Sequence, residues 1–188
     1  MINALSIIDY FYPEDTPLKE LLLKHSNQVR QKAIEIANLP SNQQYSINLE
    51  IVEIGAMLHD IGVKECHAPS ILCVGEKHYI SHGIVGAEML RQYGKDKCID
   101  LEKYARICER HTGSGLTTDE IVSQGLPIPP KDYLPETIEE KLICLADKFF
   151  SKSGDMQEKS FERVRNSMMK FGSATIQRFD EMCEFFHI

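Results

Sequence analysis

The chain has 188 residues, of which 43% are apolar and 26% are charged, and its formal net charge is −7. This length is enough for one domain with a substantial buried core, and the composition is typical of a globular protein. The negative charge argues against a broad surface for nucleic acid or an anionic membrane, but it allows a small anionic ligand beside a bound cation.

The six cysteines include no Cys-x-x-Cys pair, so neither a zinc ribbon nor a thioredoxin-like redox motif is predicted. We expect free thiols in a reducing compartment. The first twelve residues are apolar, but they lack a basic leading region and carry Asp9. They predict neither a signal peptide nor a membrane span, so we expect a cytoplasmic protein.

The first helix predicted from the apolar spacing begins at Thr16-Pro17, because proline is favoured at the first helical position after a capping residue. Apolar residues then recur at helical spacing until Pro40. A second helix is predicted from about Asn48 to Ile61. It is apolar on nearly every face, which indicates a central, buried position.

The middle of the chain alternates between helical and irregular patterns. Its predicted elements are an irregular loop over residues 63–80, a third helix over 81–93, a fourth over 99–111, a short helix ending at 123 and a proline-rich surface loop over 127–135. Gly83, Gly86 and Ala87 form a stripe of small residues on the third helix, which predicts close packing against a neighbour.

The last part of the chain begins with Thr137-Ile138-Glu139-Glu140, which matches a capping box at the start of a helix. Aromatic and methionine side chains then repeat at spacings of three and four over residues 161–186, which predicts one long helix used for core packing or a dimer seam. No segment alternates at period two, so the predicted fold class is all-α. We expect a single domain over 1–188, with a core at 16–152 and a C-terminal helix at 158–187 packing on it.

The most informative motif is Leu58-His59-Asp60-Ile61-Gly62, where an imidazole and a carboxylate meet at the end of an apolar helix. A divalent cation is the simplest partner for that pair. A second acid, Asp147, stands in an apolar helix, where a buried carboxylate without a partner would cost several kcal/mol. Its neighbour Lys148 is expected to point elsewhere on the helix.

Three more histidines lie on or beside the predicted helices, so that the full set in chain order is His25, His59, Asp60, His82, His111 and Asp147. With its flanking residues, this pattern resembles the HD-domain superfamily of metal-dependent phosphohydrolases, in the His-Asp-Ile-Gly subgroup, over roughly residues 18–150. The resemblance implies a helical bundle of about six to eight helices.

The same resemblance implies the ligand set. His25, His59, Asp60 and Asp147 would bind one divalent transition metal ion, and Asp60 would bridge to a second ion held by His82 and His111. Imidazole and carboxylate ligands suit Fe, Mn, Zn, Ni or Co. Two ions are favoured, and a one-ion site, in which the two extra histidines support the ligands or contact phosphate, remains the alternative.

The implied activity is hydrolysis of a phosphomonoester or phosphodiester by metal-activated water, with His59 and Asp60 at the catalytic centre. The expected partner is a small phosphorylated substrate, with a nucleotide favoured, and a homodimer through the last helix is compatible with its apolar spacing. Candidate substrate-binding residues, chosen because they are near the ligands in sequence, are Lys64, His67, His78 and Arg110.

Departures from the family pattern limit what the resemblance implies. Val63 follows Gly62, where many relatives have Lys or Arg, and the Gly-Tyr-Pro segment of cyclic-dinucleotide phosphodiesterases is absent near His111. Cyclic dinucleotides are therefore disfavoured. The alternatives to a phosphohydrolase are a di-iron oxygenase of the same superfamily and a non-catalytic nucleotide-binding module.

Overall fold

The protein is mainly helical, with one small sheet, in a computed structural model that describes residues 2–188. The helices are α1 (Ala4–Phe11), α2 (Pro17–Ala37), α3 (Leu49–Leu58), α4 (His82–Lys97), α5 (Glu102–Arg110), α6 (Thr118–Ser123), α7 (Ile138–Lys148), α8 (Phe161–Met168) and α9 (Ser173–Phe185). The strands are β1 (Cys66–Ala68), β2 (Cys73–Val74) and β3 (Lys77–His78). Within residues 2–188, no helix has the length and apolar character needed to cross a bilayer.

The core forms where α2, α3, α5 and α7 pack against one another and α4 packs on α5. The apolar character of α3 has the predicted consequence, since its Val52, Ala56 and Leu58 are fully buried. Near the C-terminus, Phe179 and Phe186 are also fully buried, and α9 contacts both α7 and α8. Burial of one such side chain stabilises a fold by about 1.5–3 kcal/mol.

Two predicted helix starts are confirmed by their caps. The Thr16 hydroxyl accepts a hydrogen bond from the Lys19 amide at the start of α2. Thr137 and Glu140 form a reciprocal capping box at the start of α7. Each cap satisfies backbone amides that have no partner within the helix, so the sequence signal and the structure agree.

The all-α prediction is incomplete, because residues 66–78 form a three-stranded sheet. Its central strand, β1, pairs antiparallel with β2 and parallel with β3. The strands have only two or three residues each, which is too short for a period-two pattern to be visible. The sheet leads directly into the turn before α4 and so helps to place the start of that helix.

The ends of the chain also differ from the prediction. The helix α1 was not predicted, and it begins after Asn3, whose side chain accepts from the Ser6 amide. The predicted long final helix is divided into α8 and α9. Gly172 separates them with φ of 103° and ψ of 166°, a conformation that favours glycine and ends the helical path.

The stripe of small residues on α4 is confirmed as a close-packing surface. A Cβ atom at Gly62 would lie 2.3 Å from the carbonyl oxygen of His82, and one at Gly83 would lie 2.3 Å from the carbonyl oxygen of Cys108. Backbone therefore packs directly on backbone at both points. These contacts bring the His59-Asp60 turn, the start of α4 and the end of α5 to one place.

Candidate metal centre

Four of the predicted ligand residues meet where α2, α3 and α7 converge. The Nε2 atom of His25 lies 3.0 Å from Asp147 Oδ1 and 3.2 Å from Asp60 Oδ2. The Nε2 atom of His59 lies 3.2 Å from Asp60 Oδ2 and 3.5 Å from Asp147 Oδ1. Ligand atoms about 2.0–2.2 Å from a transition metal ion lie about 3.0–3.5 Å apart in a tetrahedral or octahedral shell. The four side chains fit such an ion.

A second cluster uses the other oxygen of Asp60. Its Oδ1 atom lies 3.3 Å from His82 Nε2 and 3.4 Å from His111 Nε2, and the two Nε2 atoms lie 3.0 Å apart. All three side chains are buried. The spacing again matches the edges of a coordination shell, so Asp60 is placed between two groups of metal-compatible donors.

The hydrogen bonds of three histidines determine which ring nitrogen donates to the backbone and which one can bind a cation. The Nδ1 atoms of His59, His82 and His111 lie 2.7 Å from the backbone carbonyl oxygens of Ala56, Tyr79 and Cys108, respectively. A carbonyl oxygen only accepts, so each Nδ1 must donate, and a neutral ring then has a lone pair on Nε2. Those lone pairs point into the two clusters.

The charge state of the second cluster, Asp60, His82 and His111, is suited to binding a cation. Burial lowers the pKa of His82 to about 3, aided by His111, and burial also lowers the pKa of His111. Both rings are therefore neutral, and their lone pairs face each other across 3.0 Å. Among the described residues, no donor forms a hydrogen bond to Asp60 Oδ1. A bound cation would remove this repulsion and would satisfy all three atoms.

The two acids of the centre remain ionised. Burial opposes their ionisation, but His59 and Lys152 hold the pKa of Asp60 well below its ordinary value, and Lys148 and Lys152 do the same for Asp147. Burial would lower the pKa of His59, but Asp60 and Asp147 raise it to about 9. A proton therefore competes with a metal ion for His59 Nε2.

Two lysines that were not predicted as site residues contact the acids. The Nζ atom of Lys152 lies 2.6 Å from Asp60 Oδ2. The Nζ atom of Lys148 lies 2.6 Å from Asp147 Oδ2 and donates to the His111 carbonyl oxygen at 2.8 Å. The expectation that Lys148 points away from Asp147 is wrong, because its long side chain folds back at the end of α7.

The four candidate substrate-binding residues take other positions. Lys64 donates through Nζ to the Phe11 carbonyl oxygen at 2.7 Å, and His78 accepts from the Ile80 amide through Nδ1. Arg110 pairs with Glu136 at 2.7 Å. His67 is exposed on β1. None of the contacts described for these side chains reaches the two clusters, because nearness in sequence does not determine side-chain direction.

A polar cavity of about 360 Å³ opens beside the centre at Asp147. Its wall includes three lysines, four serines and Tyr79. The Tyr79 ring stacks on the His82 ring with centroids 4.7 Å apart, so one residue of the cavity wall packs against a member of the second cluster. Lys152 lies in Ser151-Lys152-Ser153, which follows Asp147 closely in the chain, but only the fold shows which acid it contacts.

The sequence profile of the HD-domain family matches residues 22–151. The chain belongs to the HD-domain family. That range includes the six candidate ligands and ends before Lys152. The match therefore covers the two clusters but not the whole cavity wall.

Relatives of this HD-domain protein include an uncharacterized protein of Methanocaldococcus jannaschii, 40% identical over 86% of this chain and 83% of its own length. Two proteins named tRNA (cytidine(56)-2'-O)-methyltransferase are more distant. The one from Thermoplasma volcanium is 31% identical over 88% of this chain and 42% of its own length. The one from Picrophilus torridus is 38% identical over 80% of this chain and 40% of its own length. The chain thus spans about four-tenths of each methyltransferase.

Among solved structures, the HD domain of the L. monocytogenes phosphodiesterase PgpH is similar, with a TM-score of 0.49 and 15% sequence identity. The match covers 90% of this chain and 95% of that one.

Proposed function

We propose that this HD-domain protein is a metal-dependent phosphohydrolase acting on a phosphomonoester or phosphodiester of a nucleotide or a related small metabolite. The observation that carries the proposal is the placement of Asp60 between two groups of imidazole Nε2 atoms, with the candidate ligand atoms 3.0–3.5 Å apart. Two divalent ions would be held there by His25, His59, Asp60 and Asp147 on one side, and by Asp60, His82 and His111 on the other.

Divalent ions in such a site polarise a phosphoryl oxygen and lower the pKa of a bound water toward neutrality. The protein's own contribution is to keep the ligands ready. The carbonyl oxygens of Ala56, Tyr79 and Cys108 accept hydrogen bonds from the Nδ1 atoms of His59, His82 and His111, so the three Nε2 atoms would face the ions without rotation of the rings. The ionised Asp60 and Asp147 supply the negative charge that a cation needs.

The side chains around the centre also suit a phosphoryl ligand. Lys148 and Lys152 place ammonium groups within 2.6 Å of the two acids and on the wall of the cavity. Ammonium groups at this distance from the centre offset charge that develops on phosphoryl oxygens. No serine or cysteine nucleophile would be required, because bound divalent ions would supply an activated water.

The test is turnover by protein that has been stripped with a chelator and reloaded with Mn²⁺, Co²⁺ or Ni²⁺, on p-nitrophenyl phosphate, bis-p-nitrophenyl phosphate and a panel of nucleotides. We expect activity only with metal. Asp60→Asn should reduce it about 100-fold or more, because the carboxylate serves both clusters. Asp119→Asn, which changes an exposed acid on α6, is the matched control and should retain activity.

Two results would contradict the proposal. One is the absence of turnover in every metal-loaded sample, with metal bound. The other is oxygen consumption by an iron-loaded sample whose phosphoester panel stays inactive, which would favour an oxygenase.

A further inference from the structure

The wall of the cavity beside Asp147 carries more positive charge than a single phosphoryl group at the metal centre would balance. Its wall includes Lys148, Lys152 and Lys159. Lys148 and Lys152 are paired with the two acids of the centre. Three lysines thus face two carboxylates, and every divalent ion bound at the centre adds two further positive charges. A ligand with a single anionic group would leave a surplus of positive charge.

Lys159 is the unpaired member of this set. Its Nζ atom donates to the carbonyl oxygens of Lys148 at 2.9 Å and Phe150 at 3.1 Å. Among the described residues, no carboxylate forms an ion pair with it. Burial lowers the pKa of the ammonium group, as expected for a cation without a counter-ion. The two carbonyls hold Nζ at the end of α7, beside the cavity.

The rest of the wall suits an anion of limited size. Ser70, Ser151 and Ser153 line the cavity, and serine hydroxyls donate readily to phosphate oxygens. Its volume of about 360 Å³ lies near the lower end of the range for ligand pockets, roughly 300–1,000 Å³. The space therefore suits a compact ligand rather than a polymer.

We propose, on the basis of the proposed phosphohydrolase function, that this cavity binds a second phosphoryl group of a small substrate whose first phosphoryl group reacts at the metal centre, with Lys159 as the main counter-ion. The second group can be part of a diphosphate ester or a separate monophosphate on the same molecule. The ordinary alternative is that Lys159 only caps the carbonyl end of α7.

Binding of two matched probes tests the proposal without requiring turnover. Isothermal titration calorimetry of the Mn²⁺-loaded protein would compare methylenediphosphonate with methylphosphonate. We expect the diphosphonate to bind at least about tenfold more tightly, the effect expected for one charge-assisted contact. Lys159→Gln should remove most of this preference and change methylphosphonate affinity by less than about twofold. Lys24→Gln, at an exposed lysine on α2, is the matched control and should retain the preference.

A second variant separates binding from stability. Ser153→Glu adds a negative charge at an exposed wall position and keeps the contacts between Lys159 and α7. It should also weaken diphosphonate binding selectively. The proposal is overturned if the wild type shows no preference, or if both variants keep it.

The rates of hydrolysis of two substrates distinguish the two sources of the second phosphoryl group. A nucleoside 5'-diphosphate that is hydrolysed faster than a 3',5'-bisphosphate indicates a diphosphate ester, and the reverse order indicates a separate monophosphate. If the diphosphonate preference depends on Lys159 but no phosphoester is hydrolysed, the cavity assignment holds and the hydrolase assignment fails. If phosphoesters are hydrolysed but the diphosphonate is not preferred, the hydrolase assignment holds and the cavity assignment fails.

Discussion

At the scale of single residues, Asp60 is the group on which both clusters depend. Its Oδ2 faces His25 and His59, and its Oδ1 faces His82 and His111. The Lys152 ammonium lies 2.6 Å from Oδ2, where a divalent ion would also bind. A bound metal ion would therefore share this carboxylate with the Lys152 ammonium group. The two positive charges would lie close together and repel each other.

The variant Lys152→Met tests this sharing. We expect its affinity for Mn²⁺ to rise about tenfold, because a competing positive charge is removed. The metal-free protein should lose thermal stability, because the buried Asp60 loses a counter-charge. Mn²⁺ binding followed by electron paramagnetic resonance, and unfolding followed by circular dichroism, measure the two effects.

Lys152→Arg is the control, since it keeps the positive charge and should bind Mn²⁺ within about threefold of the wild type. Unchanged Mn²⁺ affinity in Lys152→Met would show that the ammonium does not share the carboxylate with the ion.

Only some of the residues at this site could be predicted from the sequence. The six candidate ligands were predictable because their order along the chain resembles the HD-domain pattern, and the structure brings all six together. Lys148 and Lys152 gave no such signal, because a lysine near a helix end is an ordinary surface residue. Their contacts depend on side-chain direction and on the path of the chain after α7, and spacing alone determines neither.

At the scale of elements, the approach of α4 to its neighbours determines whether the second cluster forms. His82 and His111 stand at the start of α4 and just after α5, and the glycines at 62 and 83 allow the backbones there to touch. The regular helices were predictable from their apolar period and caps. Residues 66–78 were not, because their pairing depends on contacts between short segments rather than on local preference.

Gly62→Ala is the sharpest test of this packing. Its Cβ atom would lie 2.3 Å from the His82 carbonyl oxygen and 2.4 Å from the Gly86 amide nitrogen, so backbone must move. We expect the free energy of unfolding to fall by about 3 kcal/mol, measured by urea denaturation. Metal binding at the second cluster should weaken with it, because His82 lies at the shifted contact.

Gly55→Ala gives the matched comparison in α3. Its Cβ atom would meet the end of the flexible Ile107 side chain at 2.5 Å, and alanine is the better helix former by about 1 kcal/mol. We expect a net change near zero. Equal losses in the two variants would argue against direct backbone packing at Gly62.

At the scale of the whole molecule, one centre draws on α2, α3, α4, α5 and α7. His25 and Asp147 are 122 positions apart in the chain, yet their ligand atoms lie 3.0 Å apart. A bundle that brings several buried polar groups to one point gains stability from a ligand that satisfies them all. We therefore expect two cations to share Asp60.

Anomalous diffraction from crystals grown with saturating Mn²⁺ would show whether two ions bind on either side of Asp60. We predict two peaks per chain, about 3.5–4 Å apart, one beside the Nε2 atoms of His25 and His59 and the other beside those of His82 and His111. A map with no peak between His82 and His111, from crystals whose other site is full, would contradict this prediction.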